Sequence, residues 1–346
     1  MSRMGKDSDL LDVQGLLKRA GIDAGTVTVE PTEGGRNNQA FVVYTNSTRY
    51  FLKRYYRHPS DSRDRIASET AFLLFCQQAG LSSTPRLIAW DHDAGIALME
   101  YIRGSRITRE NLTREHVNQA LTFFAELNRH RQSPLASRLP PAADSRDSAL
   151  GHLELVAQRV ARLSAIQPDS PESAQVLQLV EKRLIPLWRQ VRDRVQSQVE
   201  RVEKAHLTRE QMVLSPSDFG FHNSILRPGG ELVFVDFEYA GWDDPAKTFA
   251  DFFLQPAIPP PRDRMPDALE IIQAAAGAPP EFEARTQLLF PVFGIKWCCI
   301  LLNEFLPDGS ARRGFAQRHI DPTKRRREQI ERLESLLDQL ESEALL

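Results

Sequence analysis

One short segment of the 346-residue chain concentrates polar side chains around a turn. The segment Ser215–Asn223 places Asp218 and Asn223 five residues apart, and Asp236 ends the strand that returns from the next predicted hairpin. Because a hairpin brings the chain back beside its own start, the three side chains can meet at one mouth. Carboxylate and amide oxygens suit Mg²⁺, which keeps its other positions for phosphate and water. Phosphoryl transfer needs such a metal, together with a carboxylate that orients the attacking hydroxyl.

Each of these residues also has an ordinary structural explanation. Asp218 could cap a helix or a turn, and Asn223 could occupy a left-handed turn position, since Asp and Asn do both routinely. Taken singly, either residue is more readily explained in that way. The chemical interpretation therefore depends on support from elsewhere in the chain.

The first hundred residues contain a second group of candidates. The segment Glu33–Phe41 puts Gly34 and Gly35 at a turn between two predicted strands, and Asn38 belongs to the same turn. Glycines lack a Cβ atom, so backbone N–H groups there can approach phosphate oxygens. These three residues are candidates for binding a nucleotide, although a glycine pair alone indicates only a turn.

A lysine and a glutamate follow in the order that a phosphate site requires. Lys53 lies on the next predicted strand and Glu69 on the helix after it, where the carboxylate could hold the ammonium toward the α- and β-phosphates. Alone, each is more simply an exposed charge. The functional interpretation is favoured by the order of these features along the chain: the glycine turn, Lys53, Glu69, the strand end at Leu98–Tyr101, the Asp-x4-Asn segment and the aspartate that ends the hairpin.

Residue periodicity predicts a β-rich first part with one main helix. A short opening helix is expected over residues 9–20, and turn residues separate runs rich in Val, Phe, Tyr and Thr. A five-stranded antiparallel sheet follows from the predicted strands Val27–Glu30, Ala40–Thr45, Tyr50–Tyr55, Leu87–Trp90 and Ile96–Tyr101, with the helix Arg65–Gly80.

Beyond Gly104 the apolar spacing becomes helical. Pro186 should kink or divide the long central helix. Two short strands, Ser224–Leu226 and Leu232–Asp236, flank a Pro-Gly-Gly turn. The main predicted helices are Arg114–His130, Leu153–Leu163, Ser173–Glu203, Asp267–Ala276, Gln287–Phe305 and a charged C-terminal helix, Lys324–Leu346.

Composition excludes several classes of protein. Hydrophobic residues make up 41% and charged residues 26% of the chain, which fits neither wholesale disorder nor a membrane bundle. A formal net charge of -2 gives no global attraction to nucleic acid or anionic lipid. Three cysteines without a CxxC pair favour a reducing cytoplasm. We expect no export and no membrane span, because the apolar run Leu288–Leu302 contains Pro291, Gly294 and Lys296.

The C-terminal helix has one apolar face, formed by Ile330, Leu333, Leu337 and Leu340. Packing of this face on the body of the protein is the more common arrangement for so short a repeat. Self-association through the helix is the alternative.

Together these motifs resemble the aminoglycoside phosphotransferase and choline kinase branch of the protein-kinase-like fold, from about Val27 to Phe305. The resemblance implies an α+β, two-lobed protein with a small antiparallel β-sheet lobe carrying one helix and a larger, mainly helical lobe. The expected boundaries are 1–102 for the nucleotide-binding lobe, 103–321 for the catalytic and acceptor-binding lobe and 322–346 for the charged helix.

The resemblance also implies roles for individual residues. Asp218 would be the catalytic base, and Asn223 and Asp236 would be Mg²⁺ ligands. Asp251 matches an aspartate that supports the catalytic loop in this branch. The nucleotide residues it implies are Lys53 on the ATP phosphates, Glu69 as its partner, and Met99, Glu100 and Ile102 in the hinge beside adenine.

The chain departs from the family at the catalytic loop. Where the family usually has His-Gly-Asp, this chain has Pro216, Ser217 and Asp218, so the histidine that ties the loop to the metal-binding segment is absent. His222 is expected to face solvent or form a local hydrogen bond rather than replace it. For Asp243 and Asp244 we expect structural roles first, as turn or helix-start residues.

The acceptor site is expected between the catalytic loop and the helical lobe. Aromatic residues there could hold a cationic amine or stack on a sugar, but a core position is the more common one for such residues. The candidates are Phe219, Phe221, Tyr239, Trp242 and Trp297.

The sequence thus predicts an ATP- and Mg²⁺-dependent phosphotransferase acting on a hydroxyl of a small molecule such as a sugar, an amino alcohol or an aminoglycoside. The alternative is a pseudokinase that binds nucleotide or serves as a scaffold, which only Pro216 supports. A protein kinase is disfavoured because the stretch between Asp236 and Asp251 is too short for a peptide-docking loop.

Overall fold

The computed structural model describes residues 12–32, 38–57, 63–202, 206–277, 281–306 and 321–344. Its first part is the five-stranded antiparallel sheet that the sequence predicts, and the strand order is β1-β2-β3-β5-β4. A helix at residues 12–19, α1, packs on one face, and a longer helix, α2, contacts β4 and β5. The bounds are β1 Thr28–Thr32, β2 Gln39–Tyr44, β3 Arg49–Arg54, α2 Arg65–Gln78, β4 Leu87–Asp91 and β5 Ile96–Glu100.

The second part is mainly helical and carries its short strands near the first part. Two of these strands form a hairpin that a third strand extends, and the other two pair with each other. The bounds are β6 Ser105–Arg106, α3 Arg114–Arg129, α4 Ala149–Arg162, α5 Pro171–Leu179, α6 Ile185–Val202, β7 Val213–Ser215, β8 Ser224–Leu226, β9 Leu232–Phe234, β10 Gly241–Asp243, α7 Pro245–Leu254, α8 Met265–Ala276, α9 Phe282–Leu301 and α10 Pro322–Ala344.

The long central helix is divided, as Pro186 predicts. A π-helical turn at Val180–Leu184 separates α5 from α6, and Pro186 is the second residue of α6. Proline has no N–H to donate to the carbonyl of Lys182 and its ring crowds that carbonyl. A wider turn immediately before the proline relieves this conflict, so the break lies on the N-terminal side of Pro186.

Helix α9 is the central element of the helical part. By length and composition the stretch Phe282–Phe305 could cross a membrane, yet 78% of it is buried inside the protein. It contacts α4, α6, α7 and α10. The apolar composition of α9 is therefore explained by a position at the centre of the core.

The apolar face of α10 packs on the body of the protein. Its residues Ile330, Leu333, Leu337 and Leu340 are at most 4% exposed, and α10 contacts α5 and α9. Because these side chains are already covered, self-association through α10 would have to use its polar face.

Replacing Leu337 by alanine should lower the free energy of unfolding by about 2–5 kcal/mol, since it leaves a cavity under α10. Urea denaturation followed by circular dichroism measures the change, and exposed Ser335→Ala is the matched control on the same helix. An unchanged free energy together with dissociation of a dimer would instead show that this face packs against a second copy.

Candidate active site

A buried lysine forms the floor of the site. Lys53 lies on β3 between Ala40 of β2 and Ala97 of β5, whose small side chains leave room for it. Its ammonium Nζ lies 2.6 Å from Glu69 Oε2 and 2.5 Å from Asp236 Oδ1. The structure thus brings three of the predicted residues, from a strand, a helix and a distant loop, into direct contact.

Helix α2 fixes the glutamate of this group. The helix starts where the Asp64 side chain accepts a hydrogen bond from the N–H of Ala67, and Glu69 follows one turn later on the buried face. The hydroxyl of Tyr55 donates to Glu69 Oε2 at 2.7 Å, and the N–H of Phe237 donates to Glu69 Oε1 at 3.2 Å. Glu69 therefore links the sheet to the segment that carries Asp236.

A second ion pair lies beside the first. Arg65 Nη1 donates to Glu238 Oε1 at 2.9 Å and to the hydroxyl of Tyr239 at 2.6 Å. Asn38 Nδ2 donates to Glu238 Oε2 at 2.6 Å, and Asn38 Oδ1 accepts from the N–H of Tyr56. The predicted nucleotide residue Asn38 is only 2% exposed, and both atoms of its side-chain amide make contacts within the protein. Gly34 and Gly35 lie outside the described residues.

Negatively charged side chains outnumber positively charged ones at the floor of the site. Three carboxylates, those of Glu69, Asp236 and Glu238, face two cations, Lys53 and Arg65. Burial alone would lower the pKa of Lys53, but the carboxylates of Asp236, Glu69 and Glu238 outweigh it and raise that pKa. Burial also raises the pKa of Asp236, against the pull of Lys53, and the neighbouring carboxylates raise it further. A cation added here would offset the crowding of negative charge.

The catalytic-loop candidates form a second group. The loop leaves β7, passes Pro216 and Ser217, and returns through a short 3-10 turn into β8. Asn223 Nδ2 donates to the Asp218 carbonyl at 3.0 Å and to Asp218 Oδ2 at 3.2 Å. The N–H of Val235 donates to the Asn223 carbonyl at 2.9 Å, so the residue before Asp236 is tied to this loop.

The donor set fits a magnesium ion bound together with phosphate. Asn223 uses its Nδ2 on Asp218, which leaves Oδ1 as the amide atom suited to a cation. Asp236 has an unusual positive φ of 69°, which sets the direction of its carboxylate. The described residues contain no cluster of three or more His, Cys, Asp or Glu side chains that could hold a metal alone. An ion here would need phosphate and water oxygens as further ligands, as Mg²⁺ does.

His222 makes a contact that the sequence does not specify. Its Nε2 lies 3.0 Å from Asp218 Oδ1. The local hydrogen bond expected for this histidine is therefore made to the catalytic candidate itself. The position of His222 in the sequence did not indicate this contact with Asp218, because the contact depends on how the 3-10 turn orients the histidine ring relative to the loop.

The hinge candidates occupy the junction between the two parts. Met99 and Ile102 are buried, at 3% and 8% exposure. Glu100 is half-buried, and its Oε1 accepts a hydrogen bond from Arg227 of the β8–β9 turn at 3.2 Å. Glu100 therefore connects the last strand of the sheet to the hairpin that follows the catalytic loop.

Most of the aromatic acceptor candidates belong to the core, the alternative the sequence favours. Phe219, Phe221 and Trp242 are at most 4% exposed. Phe219 stacks on Phe252 with ring centroids 4.9 Å apart, and Trp242 Nε1 donates to the Ala136 carbonyl. The two partly exposed rings form hydrogen bonds within the protein. Tyr239 accepts one from Arg65, and Trp297 donates one to Asp251.

The two aspartates after the metal-binding segment have the structural roles expected of them. Asp244 caps α7 by accepting from the N–H of Ala246, and Arg285 donates to both of its carboxylate oxygens at 2.7–2.8 Å. Asp243 Oδ2 accepts from Lys247 at 2.6 Å.

The support of the catalytic loop that was expected from Asp251 passes only through other residues. Its carboxylate accepts from Lys296 at 2.5 and 2.7 Å and from Trp297 at 2.9 Å. Lys247 lies 3.1 Å from the same group. Sequence reasoning missed the buried lysines Lys247 and Lys296, as it missed the buried pair Arg65 and Glu238 at the floor of the site.

Known proteins share this architecture. The family model for APH, described as phosphotransferase enzyme family, matches residues 28–285. No curated protein sequence matches the chain.

Three solved structures illustrate the likeness. Spectinomycin phosphotransferase APH(9)-Ia is 12% identical with a TM-score of 0.61, and the match covers 98% of each chain. Plasmodium vivax ethanolamine kinase is 14% identical with a TM-score of 0.56, covering 91% of this chain and 83% of that one. Choline kinase LicA from Streptococcus pneumoniae is 18% identical with a TM-score of 0.52, covering 89% and 94%.

At such identities the likeness shows the fold, and it confirms the predicted two-lobed α+β architecture of the protein-kinase-like type. The family match extends over most of the chain and includes Lys53, Glu69, Asp218, Asn223 and Asp236. The chain therefore belongs to the APH phosphotransferase enzyme family.

Proposed function

We propose that the protein transfers the γ-phosphoryl group of ATP, with Mg²⁺, to a hydroxyl group of a small molecule. The observation that carries the proposal is the linkage of two groups of side chains. Lys53, Glu69 and Asp236 contact one another, and the Asn223–Val235 backbone hydrogen bond joins them to Asp218 and Asn223. The groups proposed to bind phosphate and to activate the hydroxyl are therefore linked to each other, which supports phosphoryl transfer.

The nucleotide phosphates are assigned to Lys53. Its ammonium lies at the floor of the site and donates to Glu69 of α2, and the Tyr55 hydroxyl donates to the same carboxylate. When phosphate oxygens replace Asp236 as its second partner, the ammonium offsets the charge that they carry. Asp236 and Asn223 would hold the magnesium ion, which would neutralise charge on the β- and γ-phosphates.

Asp218 is assigned the role of catalytic base. An acceptor hydroxyl hydrogen-bonded to its carboxylate would attack the γ-phosphorus as the bond to the bridging oxygen breaks. The hydroxyl proton passes to Asp218 and ADP leaves. Asn223 and His222 each contact one oxygen of this carboxylate, which restricts its rotation.

The acceptor class rests on the fold neighbours. By their names, these act on spectinomycin, choline or ethanolamine, which are small molecules that carry hydroxyl groups. A small polar acceptor is accordingly proposed here, and a cytoplasmic location would supply the ATP. The three cysteines, Cys76, Cys298 and Cys299, are free and buried, in keeping with that location.

A scaffold without transferase activity has less support. It rested on Pro216 in place of the family histidine. Asp218 nevertheless contacts Asn223, and Lys53 retains both of its carboxylate partners.

Asp218→Asn should reduce kcat by about 100- to 10,000-fold, because the amide cannot accept the hydroxyl proton. The affinity for Mg-ADP should stay unchanged. ADP release measured against a panel of sugars, amino alcohols and aminoglycosides tests this, with exposed Asp23→Asn as the control. Full turnover in the variant would reject Asp218 as the base, and nucleotide binding without turnover in the unsubstituted protein would favour the scaffold.

Asp236→Asn should weaken Mg-ADP binding by at least about tenfold, roughly 1.4 kcal/mol, because a charged ligand of the cation is lost. Binding of ADP without Mg²⁺ should change little. Calorimetric titration with and without MgCl₂ separates the two effects, and Asp93→Asn on the exposed β4–β5 turn is the matched control. An equal loss in both titrations would show that Asp236 does not act through a cation.

A further inference from the structure

We propose that Lys247 and Ser217 together position the catalytic loop, at the point where the chain lacks the family histidine. This inference rests on the proposed function, because it concerns the direction in which Asp218 presents its carboxylate. Neither residue contacts the reacting atoms in this assignment. Both are therefore positioning residues rather than catalytic ones.

Ser217 has a backbone conformation that its side chain does not favour. Its φ is 66°, in the left-handed region, where a Cβ atom crowds the following carbonyl and glycine is the usual residue. The residue immediately precedes Asp218, so its dihedral angles set the direction of the catalytic carboxylate. Such a conformation persists only when the surroundings enforce it.

The hydroxyl of Ser217 is held by buried partners. Lys247 Nζ donates to Ser217 Oγ at 3.2 Å, and this Oγ lies 3.4 Å from the carbonyl of Ala143, to which it donates. The N–H of Ser217 donates to Ser215 Oγ at 3.0 Å. Ser217 is 8% exposed, so water cannot readily replace these contacts.

Lys247 connects this hydroxyl to the rigid core. Its side chain is 1% exposed, and its Nζ lies 2.6 Å from Asp243 Oδ2 and 3.1 Å from Asp251 Oδ2. Asp243 is on β10, which pairs with β7, the strand that leads into the catalytic loop. Asp251 is held in turn by Lys296 of α9.

The Lys247 ammonium and the Ser217 hydroxyl thus belong to a series of contacts that runs from α9 to Ser217, the residue before Asp218. Lys247 Nζ donates to Ser217 in the loop and to Asp243 on β10, and it forms an ion pair with Asp251 on α7. The ion pair of Lys296 with Asp251 does not involve Ser217, whereas the contact of Lys247 with the loop requires the serine hydroxyl. Loss of the contact should let the loop leave its left-handed conformation without disturbing Lys53 or Asp236.

The decisive comparison is between Ser217→Ala and Ser217→Gly. Both remove the hydroxyl, but only alanine keeps the unfavourable Cβ atom. If Lys247 positions the loop through this hydroxyl, both variants should lower kcat by about 10- to 100-fold, as expected for a misplaced catalytic group. The KM for Mg-ATP should stay within about twofold, and the Tm of Ser217→Gly should equal or exceed that of the unsubstituted protein.

A double-mutant cycle assigns the effect to Lys247. Ser217→Ala added to Lys247→Met should cost little further kcat, because the contact is already gone. If Lys247→Met does not fold, the Ser217 pair still decides the question. Exposed Ser137→Ala is the control and should leave kcat unchanged.

Two results would overturn this inference while leaving the proposed function standing. One is full kcat in Ser217→Gly with a raised Tm. The other is a double-mutant cycle in which the losses of kcat simply add. Absence of transfer by the unsubstituted protein to every acceptor would overturn the proposed function, and this inference with it. The two failures are therefore distinguishable.

Discussion

The arrangement of the cleft depends on one buried ammonium group. Lys53 is 5% exposed and bridges Glu69 from α2 and Asp236 from the segment after β9. A buried charge without partners would be severely unfavourable, so the sheet, α2 and the Asp236 segment must come together for the chain to fold around it. The same requirement brings together the residues that are proposed to bind the nucleotide phosphates.

Polar contacts of the same kind continue away from that lysine. Arg65 and Glu238 form a parallel buried pair, and Glu100 reaches Arg227 on the hinge side. Each contact joins a residue of the sheet lobe to one of the helical lobe. These paired charges join the lobes beside an apolar contact, since Phe72 of α2 stacks on Phe237 with ring centroids 4.9 Å apart.

Local sequence patterns predicted the strands of the five-stranded sheet and most of the helices, but not α7 or the short strands β6, β7 and β10. Alternation of Val, Phe and Tyr predicted the five strands, and Asp-x4-Asn followed by a hairpin Asp selected the residues that the structure brings to one mouth. The pattern could not reveal Lys247 or the contact of His222 with Asp218, because a lysine in an apolar helix and a histidine in a turn acquire partners only through tertiary packing. The burial of Asn38 beside Glu238 could not be predicted either, because Glu238 lies two hundred positions away in the sequence.

The burial of α9 has a consequence for the order in which the protein is made. This helix is covered by α4, α6 and α7, but also by α10, which lies at the far end of the chain. Gly294 of α9 faces Leu340 so closely that a Cβ atom there would lie 2.4 Å from the leucine side chain. During synthesis, the face of α9 that carries Gly294 can be covered only after α10, which follows it in sequence, has been made. Closure of the core around α9 therefore waits for α10.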